Sequence, residues 1–254
     1  MVKIIIDDPY KVAEIKNMMK VDMHCHTNIS DGRDSAEELI RKAKKLGIKI
    51  SITDHNEIAS SMKACKEKVG IGGIEVTSRQ SMDFLVFFYN YKDTEDYYKR
   101  YIKDYHLKNK GFNWRRLKWD TEELIEKSRE YSSLVILPHP FSIGPKNTYR
   151  YYLKNPWLVK KIDGIEVINS IMYPHILNAR AIEWAHESNK AATGGSDAHM
   201  LKFLGNTLTC SYADSVEEFL DNIIKKNNYV VGKSVSLLHK WHSNWVLFTK
   251  NLSW

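Results

Sequence analysis

Residues 21–32, which read VDMHCHTNISDG, contain two histidines and an aspartate at a spacing that suits metal binding. His24 and His26 are two residues apart, and side chains at i and i+2 of a β-strand point to the same face. With Asp31 in the following loop, they could form half of a site for a divalent metal ion. Such a His-x-His pair arises by chance roughly 0.4 times in a chain with this histidine content, and the other interpretation is two structural histidines. The pair therefore needs support from elsewhere in the chain.

That support comes from further histidines and carboxylates at the ends of predicted strands. The motifs are ISITDH, GIEVTS, VILPHPF and GGSDAH. In α/β folds the carboxyl ends of the strands converge on one face, where sites are built. The side chains collected in this way are His55, Glu75, His139, Asp197 and His199.

The complete set of eight candidate ligands offers only nitrogen and oxygen, which suits Zn, Mn or Fe. Eight ligands are too many for one ion, so we expect two or three divalent metal ions. Closely spaced ions can activate a hydroxide and hold the oxygens of a phosphate ester. This chemistry needs no serine or cysteine nucleophile.

The elements that must position these residues alternate between short β-rich runs and amphipathic helical patterns. This alternation predicts parallel strands joined by helices, in an open doubly wound sheet or a closed barrel. The connection from Glu75 to Phe84 is too short for a helical crossover, so we expect an irregularity there. Strands are predicted at 23–26, 49–54, 73–76, 84–88, 134–137, 164–168 and 191–195, and helices at 35–46, 57–68, 121–131, 176–189 and 215–226.

Two segments stand outside this alternation. Residues 93–119 are rich in Tyr, Trp, Lys and Arg and are predicted to be an insertion. This segment is either a helical lid packed on the main unit, which we favour, or a surface that stacks bases and contacts the phosphates of nucleic acid. Residues 232–254 are predicted to be a short C-terminal extension.

Composition and length set broad limits. The 254 residues, 43% hydrophobic and 27% charged, suit one soluble domain spanning 1–254. The three cysteines form no C-x-x-C pair, which fits a reducing, cytoplasmic setting. The longest N-terminal apolar run is too short to cross a membrane, so no membrane partner is expected. The net charge of +7 favours anionic ligands.

The ordered motifs HCHTNISDG, TDHN, GIEV, PHP and GSDAH resemble those of the PHP (polymerase and histidinol phosphatase) family from residue 21 to about residue 205. The resemblance implies a distorted (β/α)7 TIM-like barrel whose trinuclear metal centre hydrolyses phosphoesters. It also implies three groups of ligands. They are His24, His26, Glu75 and Asp197 for the first ion, Glu75 and His139 for the second, and Asp31, His55 and His199 for the third.

Asp83 is the one departure from the family pattern, because many relatives have a histidine there. Its carboxylate could bind the second metal ion, or Asp83 could be a loop residue that leaves this ion weakly held. Both interpretations stay open at the level of sequence.

Other residues near the motifs have predicted supporting roles. Asp54 precedes His55 and is expected to make a structural hydrogen bond. Glu166 is expected to be structural or adjacent to substrate. The candidates for holding a substrate phosphate are Arg180, Lys146 and Arg150, although we favour a solvated surface charge for each. Asn169 is a further candidate for contact with the substrate phosphate.

The predicted function is metal-dependent hydrolysis of a small phosphomonoester or a nucleotide by a metal-bound hydroxide. An alternative is an exonuclease-like phosphodiesterase that acts on RNA or DNA ends through residues 93–119. A third possibility is a non-catalytic barrel subunit of a nucleic-acid complex, although such a protein would be expected to lose ligands.

Overall fold

The computed structural model describes residues 2–107, 116–143 and 147–234, which form a mixed α/β fold with two five-stranded sheets. The first sheet has the strand order β1-β10-β9-β2-β3. β2 pairs in parallel with β3 and antiparallel with β9. The strands of this sheet are β1 (Lys3–Ile5), β2 (Met19–Cys25), β3 (Lys49–Ile52), β9 (Thr207–Ser211) and β10 (Tyr229–Gly232).

The second sheet follows chain order, β4-β5-β6-β7-β8. β4, β5 and β6 are antiparallel neighbours, whereas β6, β7 and β8 are parallel. The antiparallel part confirms the irregularity expected after Glu75, since a short turn can join only antiparallel strands. The strands are β4 (Gly73–Thr77), β5 (Asp83–Phe88), β6 (Ser133–Leu137), β7 (Gly164–Asn169) and β8 (Ala191–Gly195).

The two sheets meet at isolated parallel bridges. One bridge joins Cys25 to Ala198, beyond β8, and the other joins His55 to Glu75. The predicted closed (β/α)7 barrel is not confirmed, because no continuous ladder of hydrogen bonds joins the two sheets in the described residues. The bridges nevertheless bring the carboxyl ends of β2, β3, β4 and β8 together.

The helices begin and end where local sequence signals indicate. Ser35 and Glu38 form a capping box at the start of α1, and Gly47 ends that helix with φ +66°. The Ser215 hydroxyl likewise accepts a hydrogen bond from the Glu218 amide at the start of α8. The helices are α1 (Ala36–Leu46), α2 (Ala59–Lys66), α3 (Tyr91–Tyr97), α4 (Thr121–Ser128), α5 (Thr148–Lys154), α6 (Pro156–Lys161), α7 (Ile176–Glu187) and α8 (Val216–Ile224). None of those in the described ranges is long and apolar enough to cross a membrane.

The segment 93–119 is described except for residues 108–115. It contains the end of α3 and a π-helical turn, Tyr98–Ile102. Tyr97 is fully buried, and its hydroxyl donates a hydrogen bond to the Leu124 carbonyl. This packing favours a segment attached to the main unit. Residues 235–254, most of the predicted C-terminal extension, lie outside the described residues.

Gly195 allows β8 to approach β2 closely. A Cβ atom at this position would lie 2.4 Å from His24 Cβ and 2.7 Å from His24 N. We expect Gly195→Ala to lower the free energy of unfolding by about 1–3 kcal/mol, because the strand backbones would have to separate. Urea unfolding measures this loss. The control Glu187→Ala, on an exposed turn of α7, should stay within about 0.5 kcal/mol of the wild type. Equal stability of the two variants would contradict the close-packing argument.

Candidate metal centre

The structure brings all eight predicted ligands to the carboxyl ends of the strands. β2 carries His24, with His26 directly after it, and β4 carries Glu75. The others stand in loops after strands. Six of the eight are buried, and the two exceptions, His199 and Asp31, keep 17% and 30% of their side chains exposed. The loop residues are Asp31 after β2, His55 after β3, His139 after β6, and Asp197 and His199 after β8.

The buried carboxylate of Glu75 lies at the middle of this group. Its two oxygens face four imidazoles, and Oε2 accepts no hydrogen bond of normal geometry within the described residues. A buried carboxylate without such a partner is costly unless a cation compensates its charge. Oε2 lies 3.4 Å from His24 Nε2, 3.2 Å from His26 Nε2 and 3.4 Å from His55 Nδ1, and Oε1 lies 3.3 Å from His139 Nε2.

His24 and His26 also face each other closely, with their Nε2 atoms 3.1 Å apart. Two nitrogens bound to one zinc ion at tetrahedral angles would be about 3.3 Å apart. Asp197 Oδ1 completes the group, at 3.5 Å from His24 Nε2 and 3.2 Å from His26 Nε2. These separations fit ligands of a common ion.

The ring tautomers support the same conclusion for His24, since a carboxylate or carbonyl oxygen can only accept a hydrogen bond. His24 Nδ1 lies 3.0 Å from Glu166 Oε1, so Nδ1 carries the proton. His199 Nδ1 lies 2.9 Å from the Asp197 carbonyl oxygen and is protonated for the same reason. Nε2 of each ring therefore presents a lone pair for metal binding, as in many metal sites.

The third ring, His55, is oriented through Thr77. The Thr77 hydroxyl donates its hydrogen to Asp83 Oδ1 at 2.7 Å, so it accepts from His55 Nδ1 at 3.1 Å. Asp83 is the first residue of β5 and is 1% exposed, so its interpretation as a loop residue is wrong. Asp83 lies close enough to His55 and Glu75 to share an ion with them.

The Asp31 carboxylate lies between the rings of His55 and His199, on the more exposed side of the cluster. Its Oδ2 lies 3.6 Å from His55 Nε2, and its Oδ1 lies 3.4 Å from His199 Nε2. Because Asp31 is the most exposed of the eight candidates, this side is where an incoming ligand would first meet the centre.

The charges of the centre shift its pKa values away from what burial alone would produce. Burial lowers the pKa of His24, but Asp197, Glu166 and Glu75 outweigh it and raise the pKa well above its usual value. Burial likewise lowers the pKa of His199, but the Asp31 carboxylate outweighs this effect and raises the pKa of His199 to about 9. These carboxylates stabilise positive charge, which a divalent ion would supply in place of protons.

A layer of carboxylates behind the ligands holds them in place. Glu166 Oε2 accepts from the His139 amide at 2.8 Å while Oε1 contacts His24, which gives Glu166 the structural role that was one of the two predicted for it. As predicted, Asp54 makes structural hydrogen bonds. It accepts from the Thr27 amide and hydroxyl and from the Ser30 hydroxyl at 2.6–2.7 Å, fixing the loop before Asp31.

Asp22 belongs to the same layer and was missed at the level of sequence. It is fully buried in β2 and accepts hydrogen bonds from the amides of Ser196 and Gly205, each at 2.8 Å. Burial raises the pKa of its carboxyl to about 6. A charged residue inside the apolar run VDMH was the available signal.

Asn169 does not fit its predicted role as a phosphate contact. It is fully buried, and its Nδ2 donates to Glu166 Oε2 and Asp197 Oδ2 at 2.9 and 3.1 Å. Its Oδ1 accepts from the amides of Ile171 and Met172. Because the nitrogen and the oxygen of its side-chain amide both form hydrogen bonds within the protein, Asn169 orients Asp197 instead.

The remaining phosphate candidates lie on the surface or outside the described residues. Arg180 is exposed on α7, with its guanidinium carbon 4.4 Å from the centre of the Phe141 ring. Arg150 is exposed on α5, and Lys146 lies outside the described residues. Two site residues also have left-handed backbones, His139 with φ +30° and Asp197 with φ +50°. Such strain is common at functional sites.

Sequence comparison finds relatives of this chain in Methanocaldococcus jannaschii. It is 27% identical over 239 residues to the uncharacterized protein MJ0417 of Methanocaldococcus jannaschii, covering 89% of each chain. It is 30% identical over 181 residues to MJ1587 of the same organism, covering 65% of this chain and 90% of the relative. Residues 175–228 match the family model described as PHP-associated. The chain belongs to the PHP family. Membership confirms the resemblance that the motifs indicated.

Solved structures share this PHP fold. A two-domain protein from Bacteroides vulgatus that contains a predicted PHP-like metal-dependent phosphoesterase aligns with a TM-score of 0.59 at 19% identity, over 91% of this chain and 68% of that one. Endonuclease Q, solved with a 27-mer duplex bearing an abasic lesion, aligns with a TM-score of 0.63 at 18% identity, over 85% of this chain and 60% of that one. At these identities the similarity establishes the fold.

Because five imidazoles and three carboxylates meet here, divalent metal ions should stabilise this PHP protein. At about 100 times the dissociation constant, Mn²⁺ should add ~2.7 kcal/mol, which raises Tm by roughly 5–10 °C relative to protein in EDTA. Thermal unfolding followed by circular dichroism measures the shift. Asp197→Asn should reduce it, whereas Asp214→Asn, at an exposed position beyond β9, should preserve it. An equal shift in both variants would place the metal elsewhere.

Proposed function

We propose that this protein is a hydrolase that cleaves phosphate esters with the help of bound divalent metal ions. One observation carries the proposal. The buried Glu75 carboxylate is surrounded by four imidazole rings, and Asp31 is the most exposed of the candidate ligands. Membership of the PHP family supports it, as does the fold shared with a protein containing a predicted metal-dependent phosphoesterase.

In this proposal the ligands divide into the three groups implied by the PHP motifs. Glu75 would be a ligand of both the first and the second ion, and Asp83 is a further candidate for the second. When bound, such ions lower the pKa of water and neutralise phosphoryl oxygens. The first group is His24, His26, Glu75 and Asp197, the second is Glu75 and His139, and the third is Asp31, His55 and His199.

The protein's own residues orient the metal ligands and keep the one cysteine of the motif protonated. Glu166 holds the His24 ring with Nε2 facing Glu75, and Thr77 holds the His55 ring with Nε2 facing Asp31. Burial together with nearby carboxylates raises the pKa of the Cys25 thiol well above its usual value, so Cys25 stays protonated. A protonated, fully buried thiol is not a nucleophile, which agrees with hydrolysis by water.

Arg180 is the proposed anchor for the substrate phosphate. Its guanidinium stacks on Phe141, two residues after His139, and Phe141 packs against Tyr149 with ring centres 4.4 Å apart. Within the described part of the chain, no carboxylate pairs with Arg180. A guanidinium held by an aromatic ring and not neutralised by an acid can bind a phosphate with two hydrogen bonds.

A second candidate function is cleavage of phosphodiesters in nucleic acid. The observation that favours it is the fold shared with endonuclease Q, whose structure contains duplex DNA. The net charge of +7 would support association with a polyanion. Comparing turnover of mononucleotides with turnover of oligonucleotides separates the two candidates. A non-catalytic subunit fits less well, because all eight candidate ligands are present and grouped.

Purified protein supplied with Mn²⁺ or Zn²⁺ should release product from an aryl phosphate or an aryl phosphodiester. His55→Ala and Asp197→Ala should each lower the rate by about 10³-fold, because metal ions contribute several kcal/mol of transition-state stabilisation. A chromogenic assay measures the rates, with Asp214→Asn as the control that keeps activity. Activity that survives both alanine changes would refute the proposed site.

Arg180→Ala should raise KM for a phosphate ester roughly 10- to 100-fold, because a hydrogen bond to a charged group contributes about 1.5–3 kcal/mol. Steady-state kinetics should show a smaller change in kcat. Arg41→Ala removes an exposed arginine from α1 and should leave KM unchanged. An unchanged KM in Arg180→Ala would assign the phosphate contact to other residues.

A further inference from the structure

An open cavity of about 400 Å³ lies at the turn that follows β4, and the proposed hydrolysis does not use it. This volume is at the lower end of the range for small-molecule sites, so it suits a single ring system. The cavity is formed where the turn between β4 and β5 meets the end of the 93–119 segment. Its lining residues are Arg79, Tyr105, Lys118, Trp119, Asp120 and Glu123.

Backbone hydrogen bonds tie this cavity to the metal centre. The Leu117 amide donates to the carbonyl of Thr77 at 3.1 Å, and the Arg79 amide donates to the carbonyl of Trp119 at 2.9 Å. Thr77 is the residue whose hydroxyl contacts His55. Arg79 of the cavity wall follows Thr77 by two residues. Two residues of extended chain span at most about 7 Å, so the cavity wall lies within about this distance of the residue that contacts the candidate ligand His55.

The aromatic wall of the cavity is held rigidly. The rings of Tyr105 and Trp119 pack with their centres 4.8 Å apart, and Trp119 Nε1 donates to the Tyr101 carbonyl at 3.0 Å. The Lys127 ammonium lies 4.3 Å from the centre of the Trp119 ring. Trp119 is thus fixed by three contacts and supports Tyr105, whose half-buried ring keeps surface open for stacking.

The charges around the cavity are balanced. Arg79 pairs with Asp120 through two hydrogen bonds of 2.7 and 2.8 Å, and exposed Lys118 and Glu123 add one charge of each sign. A balanced lining does not favour a second phosphate. It offers donors and acceptors around an aromatic surface, which matches an uncharged heterocycle that can hydrogen-bond and stack.

We propose that this cavity binds the nucleobase of a substrate whose phosphate lies at the metal centre, with the base stacked on Tyr105. The substrate class is then a nucleotide or the end of a nucleic-acid strand. This inference rests on the proposed phosphoesterase function, because the phosphate must bind at the metal ions for the base to reach the cavity.

Two probes that differ only in the base test the proposal, namely adenosine 5′-monophosphate and ribose 5-phosphate. Isothermal titration calorimetry on the full-length, Mn²⁺-loaded protein should show tighter binding of the nucleotide. Stacking on an aromatic side chain corresponds to a difference of roughly 5- to 150-fold in affinity. Tyr105→Ala should remove most of this difference and leave the affinity for ribose 5-phosphate unchanged.

Variants separate stacking from a loss of structure. Tyr105→Phe keeps the ring and should keep the preference for the nucleotide. Tyr212→Ala, which removes an exposed tyrosine following the end of β9, should also keep it. A preference that survives Tyr105→Ala would overturn the stacking role, as would its loss in Tyr105→Phe.

The outcomes also distinguish this inference from the proposed function. Equal binding of both probes by the wild type would overturn the base site and leave the phosphoesterase proposal standing. Binding of neither probe would overturn both. A third arm uses a 5′-phosphorylated dinucleotide. Tighter binding than adenosine 5′-monophosphate identifies a strand end as the occupant, and equal or weaker binding identifies a mononucleotide.

Discussion

The structure depends on one constraint, which is the burial of the Glu75 carboxylate among imidazole rings. A carboxylate with no exposed surface would be expensive to remove from water without nearby positive charge. Burial raises the pKa of Glu75, but His55 and His24 hold it well below its usual value. Because these rings come from different strands, compensating one buried charge requires the carboxyl ends of β2, β3 and β4 to meet.

The layer behind the ligands explains how this meeting is maintained. Glu166 contacts His24 from β7 and also accepts from the His139 amide after β6. Asp22 connects β2 to the loop that carries Asp197. Each of these buried carboxylates satisfies backbone or ring N–H groups on more than one element, so it links strands that have no continuous ladder between them. The orientation of the rings and the join between the two sheets therefore have the same physical origin.

The two proposed recognition sites differ from this buried centre. The Arg180 guanidinium lies over the Phe141 ring in one, and the Tyr105 ring packs at a tilt against Trp119 in the other. In both places an aromatic ring supports a side chain that has room for a further partner. The residues that orient the metal ligands are therefore buried. The residues that would select a substrate are exposed or half-buried. Substitutions at Arg180 and Tyr105 should therefore change specificity with little cost in stability.

The sequence by itself determined the eight candidate ligands, seven of the strands and the antiparallel irregularity after Glu75. It could do so because strand ends, helix caps and short turns are local signals. Only the tertiary structure decided that the strands form two sheets joined by isolated bridges, that β1, β9 and β10 complete the first sheet, and that Asp83 begins a strand. It also gave Asn169 a role in orienting Asp197 and not in contacting phosphate. Strand pairing and hydrogen-bond partners join residues far apart in the chain, and no local pattern specifies which distant groups will meet.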